Sequence, residues 1–285
     1  MPRVSRLGLL SLVMLAACAA KEVKQAPRAR RVHHELLVLD THLDTPAAFG
    51  SGWDVTAAHR VADDLSQVDL PRMKRGGLDG GFWAVYTPQG PRTPEGYAKA
   101  RDAALMTAVR IRELTAMHPE FVLALASDDA ERIAAQRKRV VYLSIENSYP
   151  LTHDLSLLKT FYDLGVRMVG PVHSTNNDFA DSSTDAPEWH GLSERGRALV
   201  SEANRLGVVL DGSHASDAVL DQLIELSRTP VILSHSGCKA VYDHPRNVDD
   251  ARLRKLAASG GVIQINSLGD YLTATPDDPE RKAAL

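Results

Sequence analysis

An imidazole and a carboxylate stand two positions apart where an apolar run ends near the start of the sequence. The stretch LVLDTHLDTP, residues 37–46, places Asp40, His42 and Asp44 at alternating positions. Successive side chains of a β-strand point to opposite faces, so His42 and Asp44 project from the same face. Imidazole nitrogens and carboxylate oxygens are ligands of divalent metals such as Zn²⁺. We interpret His42 and Asp44 as a ligand pair, and the deeper Asp40 as a hydrogen-bonding partner behind it.

Four more apolar runs end in a residue that can bind a metal or transfer a proton. These runs are VVYLSIE, VRMVGPVH, VVLDGSH and VILSH, which end at or next to Glu146, His173, His214 and His235. A hydrophobic core does not need an imidazole there, and burying one without a partner is costly. A structural role stays open for any one of them alone, but it does not explain all of them together. The set predicts a metal centre at one edge of a parallel sheet.

Seven apolar runs of strand length alternate with longer helical patterns. The predicted strands are residues 36–40, 80–86, 140–145, 168–172, 208–211, 231–234 and 262–265. Helical stretches such as SERGRALVSEANRLG begin with a Ser, Thr or Asp cap and end at glycine. This alternation indicates a parallel sheet, and seven strands, one short of eight, favour an α/β fold of the (β/α)8 TIM-barrel type. An open doubly wound sheet is the alternative, because its crossovers look the same locally.

The glycine pattern of a dinucleotide site does not follow an early strand. The first predicted strand runs into DTHLDTP, and GGLDGG, residues 76–81, precedes a strand instead of following one. We therefore assign these glycines to a helix end and to tight packing. The remaining seven histidines fall in predicted loops or helix ends and are interpreted as solvated or structural: His33, His34, His59, His118, His153, His190 and His244.

Composition restricts the class of protein. The chain has 285 residues, 44% of them hydrophobic, and a formal net charge of −3. It is long and apolar enough for one large domain, and its charge balance is not that of a nucleic-acid-binding protein.

The first 18 residues have the pattern of a bacterial lipoprotein signal peptide. Arg3 and Arg6 precede an apolar run over residues 7–17, and LAAC, residues 15–18, resembles a lipobox. This predicts lipidation at Cys18, a polar tether over residues 19–35, and an exported protein anchored on the periplasmic side of a membrane. An ordinary cleaved signal, giving a soluble periplasmic or secreted protein, is the alternative. Cys238 is then the single remaining cysteine, so no internal disulfide is expected.

Several segments in the same order resemble the membrane, or renal, dipeptidase family, zinc peptidases built on an amidohydrolase-like barrel. These segments are DTHLDTP, YLSIE, VHSTNNDFADSS, GLSERGRALVSEANRLGVVLDGSHAS, PVILSHSGCKAVYDHPRNVDD and GGVIQIN. The resemblance implies two Zn²⁺ per chain, one bound by His42 and Asp44 and the other by His214 and His235. Glu146 would bridge both metals.

The resemblance also implies the residues that act on substrate. His173 would contact the dipeptide near its scissile carbonyl, and Arg246 would bind its free carboxylate. Two metals about 3.5–4 Å apart can share a hydroxide that attacks the peptide carbonyl, with Glu146 and His173 as catalytic residues. Asn176 and Asp181 are further candidates, for the substrate amino group, although Asn and Asp also form turns readily.

One feature of the family is not found in the sequence. The family has an acidic residue after its eighth strand, whereas this sequence ends at DDPERKAAL with seven strands predicted. We therefore expect residues 36–285 to be an incomplete barrel and the natural protein to continue.

The leading function is hydrolysis of dipeptides by a dizinc centre. The alternatives are a lactamase- or deaminase-like amidohydrolase and a non-catalytic peptide-binding lipoprotein. The expected partners are a dipeptide and, through the lipid anchor, a membrane; a homodimer is left open.

Overall fold

A computed structural model of the protein describes residues 27–50, 52–64, 66–152 and 154–275. The predicted signal peptide, Cys18 and residues 19–26 of the predicted tether lie outside these ranges. The chain divides into two units between Leu36 and Leu37. The first unit contributes one described helix, α1 (Pro27–Glu35).

Parallel strands form the scaffold of the second unit. They are β1 (Leu39–Leu43), β2 (Gly80–Tyr86), β3 (Phe121–Leu123), β4 (Arg139–Glu146), β5 (Val166–Val169), β6 (Val209–Leu210), β7 (Ile232–Cys238), β8 (Asn247–Val248) and β9 (Val262–Ile265). The helices are α2 (Val61–Asp64), α3 (Leu70–Gly76), α4 (Pro94–Met117), α5 (Asp129–Ala135), α6 (Leu157–Leu164), α7 (Glu194–Leu206), α8 (Asp217–Leu226) and α9 (Asp250–Ala258). Among the helices described, none combines the length and apolar character needed to cross a membrane.

The strand order is that of a barrel. One sheet runs β1-β2-β4-β5-β6, with β3 beside β4, and a second runs β8-β7-β9. A parallel bridge between Asp211 and Ile232 joins the two sheets. Apart from the short strands β3 and β8, which branch from β4 and β7, the strand order increases steadily along the chain, whereas a doubly wound sheet reverses direction from its first strand. This confirms the predicted α/β barrel class, and all seven predicted strands are present, with β3 and β8 as short additions.

A side chain of β9 connects this strand to the backbone of β1. Gln264 of β9 accepts a hydrogen bond from the backbone N–H of Thr41 (2.9 Å) and donates to the carbonyl of Leu39 (3.3 Å). Within the described residues no eighth barrel strand follows β9. Continuation of the natural protein stays a prediction.

The helices begin and end where the sequence places capping residues. Thr93, Ser193 and Ser216 each accept a hydrogen bond from the backbone of the first turn of α4, α7 and α8. α7 ends at Gly207, whose φ of 75° is left-handed. Between the helices, all eight residues of β4 are buried, because strands pair with it on both sides and helices cover the sheet.

Glycine at the start of β2 permits close strand contact. A Cβ atom on Gly81 would lie 2.0 Å from the carbonyl oxygen of Asp40 in β1. Gly77, at the end of α3, has a left-handed φ of 72°. Both findings confirm the assignment of GGLDGG to a helix end and tight packing.

Candidate metal centre

The predicted site residues lie at the carboxyl ends of the barrel strands. His42 is the fourth residue of β1, which begins at Leu39 and extends to Leu43. Glu146 ends β4, and His235 lies in β7. His173 and His214 follow β5 and β6, and His214 has a left-handed φ of 68°. The strands of a parallel barrel deliver their last residues to one rim, which explains why these distant positions meet.

Four imidazoles surround the Glu146 carboxylate. The Nε2 atoms of His214, His235 and His173 lie 3.1, 3.4 and 3.5 Å from its Oε1 atom. The Nε2 atom of His42 lies 3.6 Å from Oε2. Glu146 is 7% exposed, so the carboxylate meets imidazoles where water has little access.

The potential ligand atoms form two groups of three that share Glu146. In each group, the atoms lie within 4.8 Å of one another. The first group adds His42 and His235, whose rings stack at 3.8 Å, and the second adds His173 and His214. This division differs from the ligand sets that the resemblance implies, which place His235 with His214. The Nε2 atoms of those two residues are in hydrogen-bond range, at 2.9 Å.

Burial and the shared carboxylate set the charges in the cluster. Burial alone raises the pKa of Glu146, but its close contacts with His214 and His235 and the charge of His42 outweigh that effect, so that pKa lies well below its ordinary value. Burial lowers the pKa of His235 and, more strongly, that of His214. Burial also acts to lower the pKa of His42, yet its hydrogen bond to Asp44 and the charge of Glu146 raise it to about 9.

Asp44 contacts the cluster from its exposed side. Its Oδ1 atom lies 3.2 Å from His42 Nε2, and its side chain is 69% exposed. The two side chains meet as the alternation in the sequence predicted. Metal binding by Asp44 stays a prediction.

His173 lies at the opening of the site. Its side chain is 24% exposed, more than those of His42, His214 and Glu146. Burial lowers its pKa, with the charge of Glu146 acting in the opposite direction. Tyr86, the last residue of β2, stands beside it with ring centroids 4.8 Å apart. Sequence reasoning missed Tyr86, although the predicted strand ended at this residue.

Arg246 is buried beside His235 and is 3% exposed. One guanidinium nitrogen, Nη2, donates to the carbonyl of His235 (3.1 Å), and the Nε atom has no hydrogen-bond partner in the protein. The guanidinium lies 5.4 Å from the ring centroid of Tyr271, and burial lowers its pKa. His244, interpreted from sequence as solvated or structural, accepts a hydrogen bond from the Arg246 backbone N–H (3.1 Å).

Asn176 and Asp181 are occupied within their own loop. Asp181 is 1% exposed, and its two carboxylate oxygens accept from the backbone N–H groups of Glu188, Trp189 and Gly191 at 2.9 Å each. The Asn176 side chain bonds the backbones of Ser182 and Ala186. The structure thus gives both a loop-forming role, and substrate binding by either stays a prediction.

The donor set suits a divalent metal. The Nε2 atoms of His214 and His235 face each other. Two neutral imidazoles in this arrangement need a proton or a cation between their nitrogens. Imidazole nitrogens with a shared carboxylate suit Zn²⁺, and several other divalent ions fit such N/O sites. The residues present therefore fit the metals that the resemblance implies.

A parallel α/β barrel with a histidine–carboxylate cluster at its strand ends is the architecture of the metal-dependent hydrolases. The chain belongs to the membrane dipeptidase family, peptidase family M19, whose model matches residues 26–284. This confirms the family inferred from the sequence.

Named relatives and solved structures are similar to this chain over most of its length. Dipeptidase tcpJ of Claviceps purpurea is 35% identical over 225 residues, covering 77% of this chain and 52% of the relative. Dipeptidase verJ of Clonostachys rogersoniana is 30% identical over 255 residues, covering 84% and 64%. The chain thus spans between about half and two thirds of the length of these curated relatives.

Two crystal structures share the fold. The probable dipeptidase PvdM from Pseudomonas aeruginosa superposes with a TM-score of 0.80 at 33% identity, covering 88% of this chain and 66% of that one. A metallo peptidase from Rhodobacter sphaeroides, liganded with a phosphinate mimic of the dipeptide L-Ala-D-Ala, gives 0.74 at 27% identity, covering 83% and 75%.

Proposed function

We propose that the protein is a zinc-dependent dipeptidase that hydrolyses the peptide bond of dipeptides. The observation that carries this proposal is the Glu146 carboxylate with four imidazole Nε2 atoms within 3.6 Å of its oxygens. In the proposed centre, two Zn²⁺ would be bound by five side chains: His42, Asp44, Glu146, His214 and His235. Bound there, the metals supply an activated water and polarise the scissile carbonyl.

His173 is proposed to stabilise the carbonyl oxygen as negative charge develops on it. Its side chain is the most exposed of the four imidazoles, so it can reach substrate in the opening. Because its pKa is lowered by burial, the ring is neutral near pH 7 and keeps one N–H to donate. A fixed donor aimed at an oxyanion is among the larger contributions to catalysis.

Arg246 is proposed to bind the free carboxylate of the dipeptide. A planar guanidinium matches a carboxylate, and the Nε atom of Arg246 is buried without a partner in the protein. Because Arg246 also contacts the backbone of His235, the carboxylate would lie close to the metal ligands. A longer peptide would place additional residues in that space, so the arrangement favours dipeptides.

The comparisons support a dipeptide as substrate. The curated relatives are described as dipeptidases, and the Rhodobacter sphaeroides structure holds a mimic of L-Ala-D-Ala. We therefore choose L-Ala-L-Ala and L-Ala-D-Ala as the first test substrates.

The test combines metal analysis with a substrate panel. The protein extended to its natural C-terminus is purified and loaded with zinc, and release of alanine from both dipeptides is compared with release from tri-alanine. Glu146→Gln is expected to abolish release, whereas Glu225→Gln, on the exposed side of α8, is the matched control and leaves it unchanged. Bound zinc without hydrolysis of any dipeptide would contradict the proposal and favour a non-catalytic binding protein. Hydrolysis of cyclic amides, or deamination of nucleobases, with dipeptides inert would favour another amidohydrolase.

We also propose export and lipid anchoring at Cys18, which the LAAC sequence supports. Labelled palmitate should enter the wild-type protein and the Cys238→Ala control in a bacterial host, but not Cys18→Ala. Labelling that persists in Cys18→Ala would contradict the anchor. A homodimer stays a prediction that sedimentation of the purified protein tests.

A further inference from the structure

A buried carboxylate connects to His235 through a serine hydroxyl. Asp211, the residue after β6, is 6% exposed, and its Oδ1 atom accepts from the backbone N–H groups of Ser213 (2.9 Å) and Ser234 (3.0 Å). Its other oxygen, Oδ2, accepts from the Ser234 hydroxyl. The same hydroxyl oxygen lies 2.8 Å from His235 Nδ1.

These contacts determine where the protons lie. A carboxylate only accepts hydrogen bonds, so the single hydroxyl proton of Ser234 is directed at Asp211. The Ser234 oxygen then accepts from His235, which requires a proton on Nδ1. Ser213 lies farther from the Ser234 hydroxyl, at 3.4 Å, and its own oxygen accepts from the His235 backbone N–H (3.0 Å). The Nε2 atom of a neutral His235 is left with a lone pair.

That lone pair faces the metal centre. His235 Nε2 lies 3.4 Å from Glu146 Oε1 and 2.9 Å from His214 Nε2. The Nδ1 atom of His214, by contrast, is buried without a hydrogen-bond partner in the protein. The contacts of His214 with Glu146 (3.1 Å) and His235 are both made through Nε2, so a neutral His214 carries its proton there and donates, whereas His235 accepts.

We propose that Asp211 and Ser234 are positioning residues that hold His235 in the Nδ1–H tautomer, so that its Nε2 atom is ready to bind a metal. The inference rests on the metal centre of the proposed function. Hydrogen bonds behind a ligand histidine fix both its ring orientation and its tautomer, and their loss typically weakens metal binding by about 10–100-fold.

Asp211→Asn tests the direction of the hydrogen bonds with little change in shape. The amide oxygen can still accept from the two backbone N–H groups, but the amide nitrogen must donate to Ser234. The Ser234 proton then turns toward His235 Nδ1, and the ring is expected to change to the Nε2–H tautomer. Ser234→Ala removes the connection altogether. Ser144→Ala is the matched control, because Ser144 is equally buried and its hydroxyl has no partner.

Two measurements read the outcome. Long-range ¹H–¹⁵N spectra of the metal-free, full-length chain report the tautomer, with the His235 signals assigned by their loss in His235→Gln. Competition with a chromophoric chelator reports zinc affinity. In the spectra, we expect His235 to be in the Nδ1–H tautomer in the wild type and in the Nε2–H tautomer in Asp211→Asn. We expect zinc affinity to be about 10–100-fold weaker in Asp211→Asn and Ser234→Ala and unchanged in Ser144→Ala.

Two results would overturn the inference. One is a wild-type His235 with its proton on Nε2; the other is an Asp211→Asn or Ser234→Ala protein, folded by circular dichroism, with unchanged zinc affinity. Failure of the proposed function is distinguishable from both. A wild-type protein that binds no zinc contradicts the metal centre, while the spectra still decide the tautomer of His235.

Discussion

The Nε2 atoms of His214 and His235 lie 2.9 Å apart, and both face the same oxygen of Glu146. Because burial lowers the pKa of both imidazoles, the two rings do not each carry an added proton near neutral pH. A cation shared between these nitrogens and the carboxylate would offset the cost of burying all three. The cluster is therefore expected to be more stable with a bound metal ion than without one.

The first prediction is that zinc raises the melting temperature of the wild-type protein. A ligand present at about 1,000 times its dissociation constant stabilises the folded state by about 4 kcal/mol. His214→Asn should reduce the shift strongly, because asparagine tolerates the left-handed φ of this position but lacks the imidazole. His190→Asn is the control, since His190 is exposed and also has a positive φ of 53°. Equal zinc-induced shifts in the two variants would contradict the assignment.

The second prediction concerns Arg246 and the carboxylate of the substrate. Arg246→Lys should raise the KM for L-Ala-L-Ala by about 10–100-fold, because a hydrogen-bonded ion pair contributes about 1.5–3 kcal/mol and lysine cannot form the planar pair. The wild type should discriminate against the dipeptide amide, and the variant should lose most of that discrimination. Arg228→Lys, at an exposed position, is the control. An unchanged preference for the free carboxylate in Arg246→Lys would disprove this role.

Much of the fold was predictable because it follows from local patterns. Apolar runs bounded by caps and glycines located all seven barrel strands, and the residues after them converge because parallel strands share one rim. The first strand was displaced: the prediction gave residues 36–40, whereas β1 spans Leu39–Leu43. The apolar stretch starts earlier than the strand pairing, which begins where Leu39 meets Gly80.

The contacts behind the metal centre could not be predicted in the same way. The hydrogen bond between Asp211 and Ser234 joins residues 23 positions apart, and no periodicity indicates which hydroxyl will face which carboxylate. The position of Asp181 shows the same limit, because its polar loop sequence suits both substrate binding and the turn that the structure contains. Side-chain partners of this kind are set by the packing of whole elements, which a sequence pattern does not encode.

A third prediction tests the core that supports the site. Leu143 of β4 is fully buried and pairs in register with Trp83 of β2. Leu143→Ala should lower the free energy of unfolding by about 2–5 kcal/mol, through lost burial and the cavity it leaves. Leu226→Ala, which is 38% exposed at the end of α8, should cost only about 0.5 kcal/mol. Urea denaturation of the metal-free proteins measures both, and similar losses would contradict the assigned core.

The last prediction is a pH dependence of stability from His59, in the loop that follows β1. Its Nδ1 atom lies 2.6 Å from Asp64 Oδ2 and its Nε2 atom 2.7 Å from the carbonyl of Asp54, so both nitrogens face acceptors, as in an imidazolium. The ring also stacks on Trp53 at 4.5 Å. The hydrogen bond to Asp54 and the contact with Asp64 raise the pKa of His59 above 6.5.

Because the pKa of His59 is raised on folding, its contribution to stability is fully present below pH 6.5 and is lost as pH rises through the folded value. His59→Gln should therefore lower the melting temperature most in mildly acidic solution, and the difference from wild type should shrink toward alkaline pH. The opposing carboxyl of Asp64 stays ionised over this range, because hydrogen bonds from Ser66 lower its pKa to about 2. His34→Gln, on the exposed helix α1, is the control for removal of an imidazole. A difference between wild type and His59→Gln that grows with pH would show that the ring is bound in its neutral form.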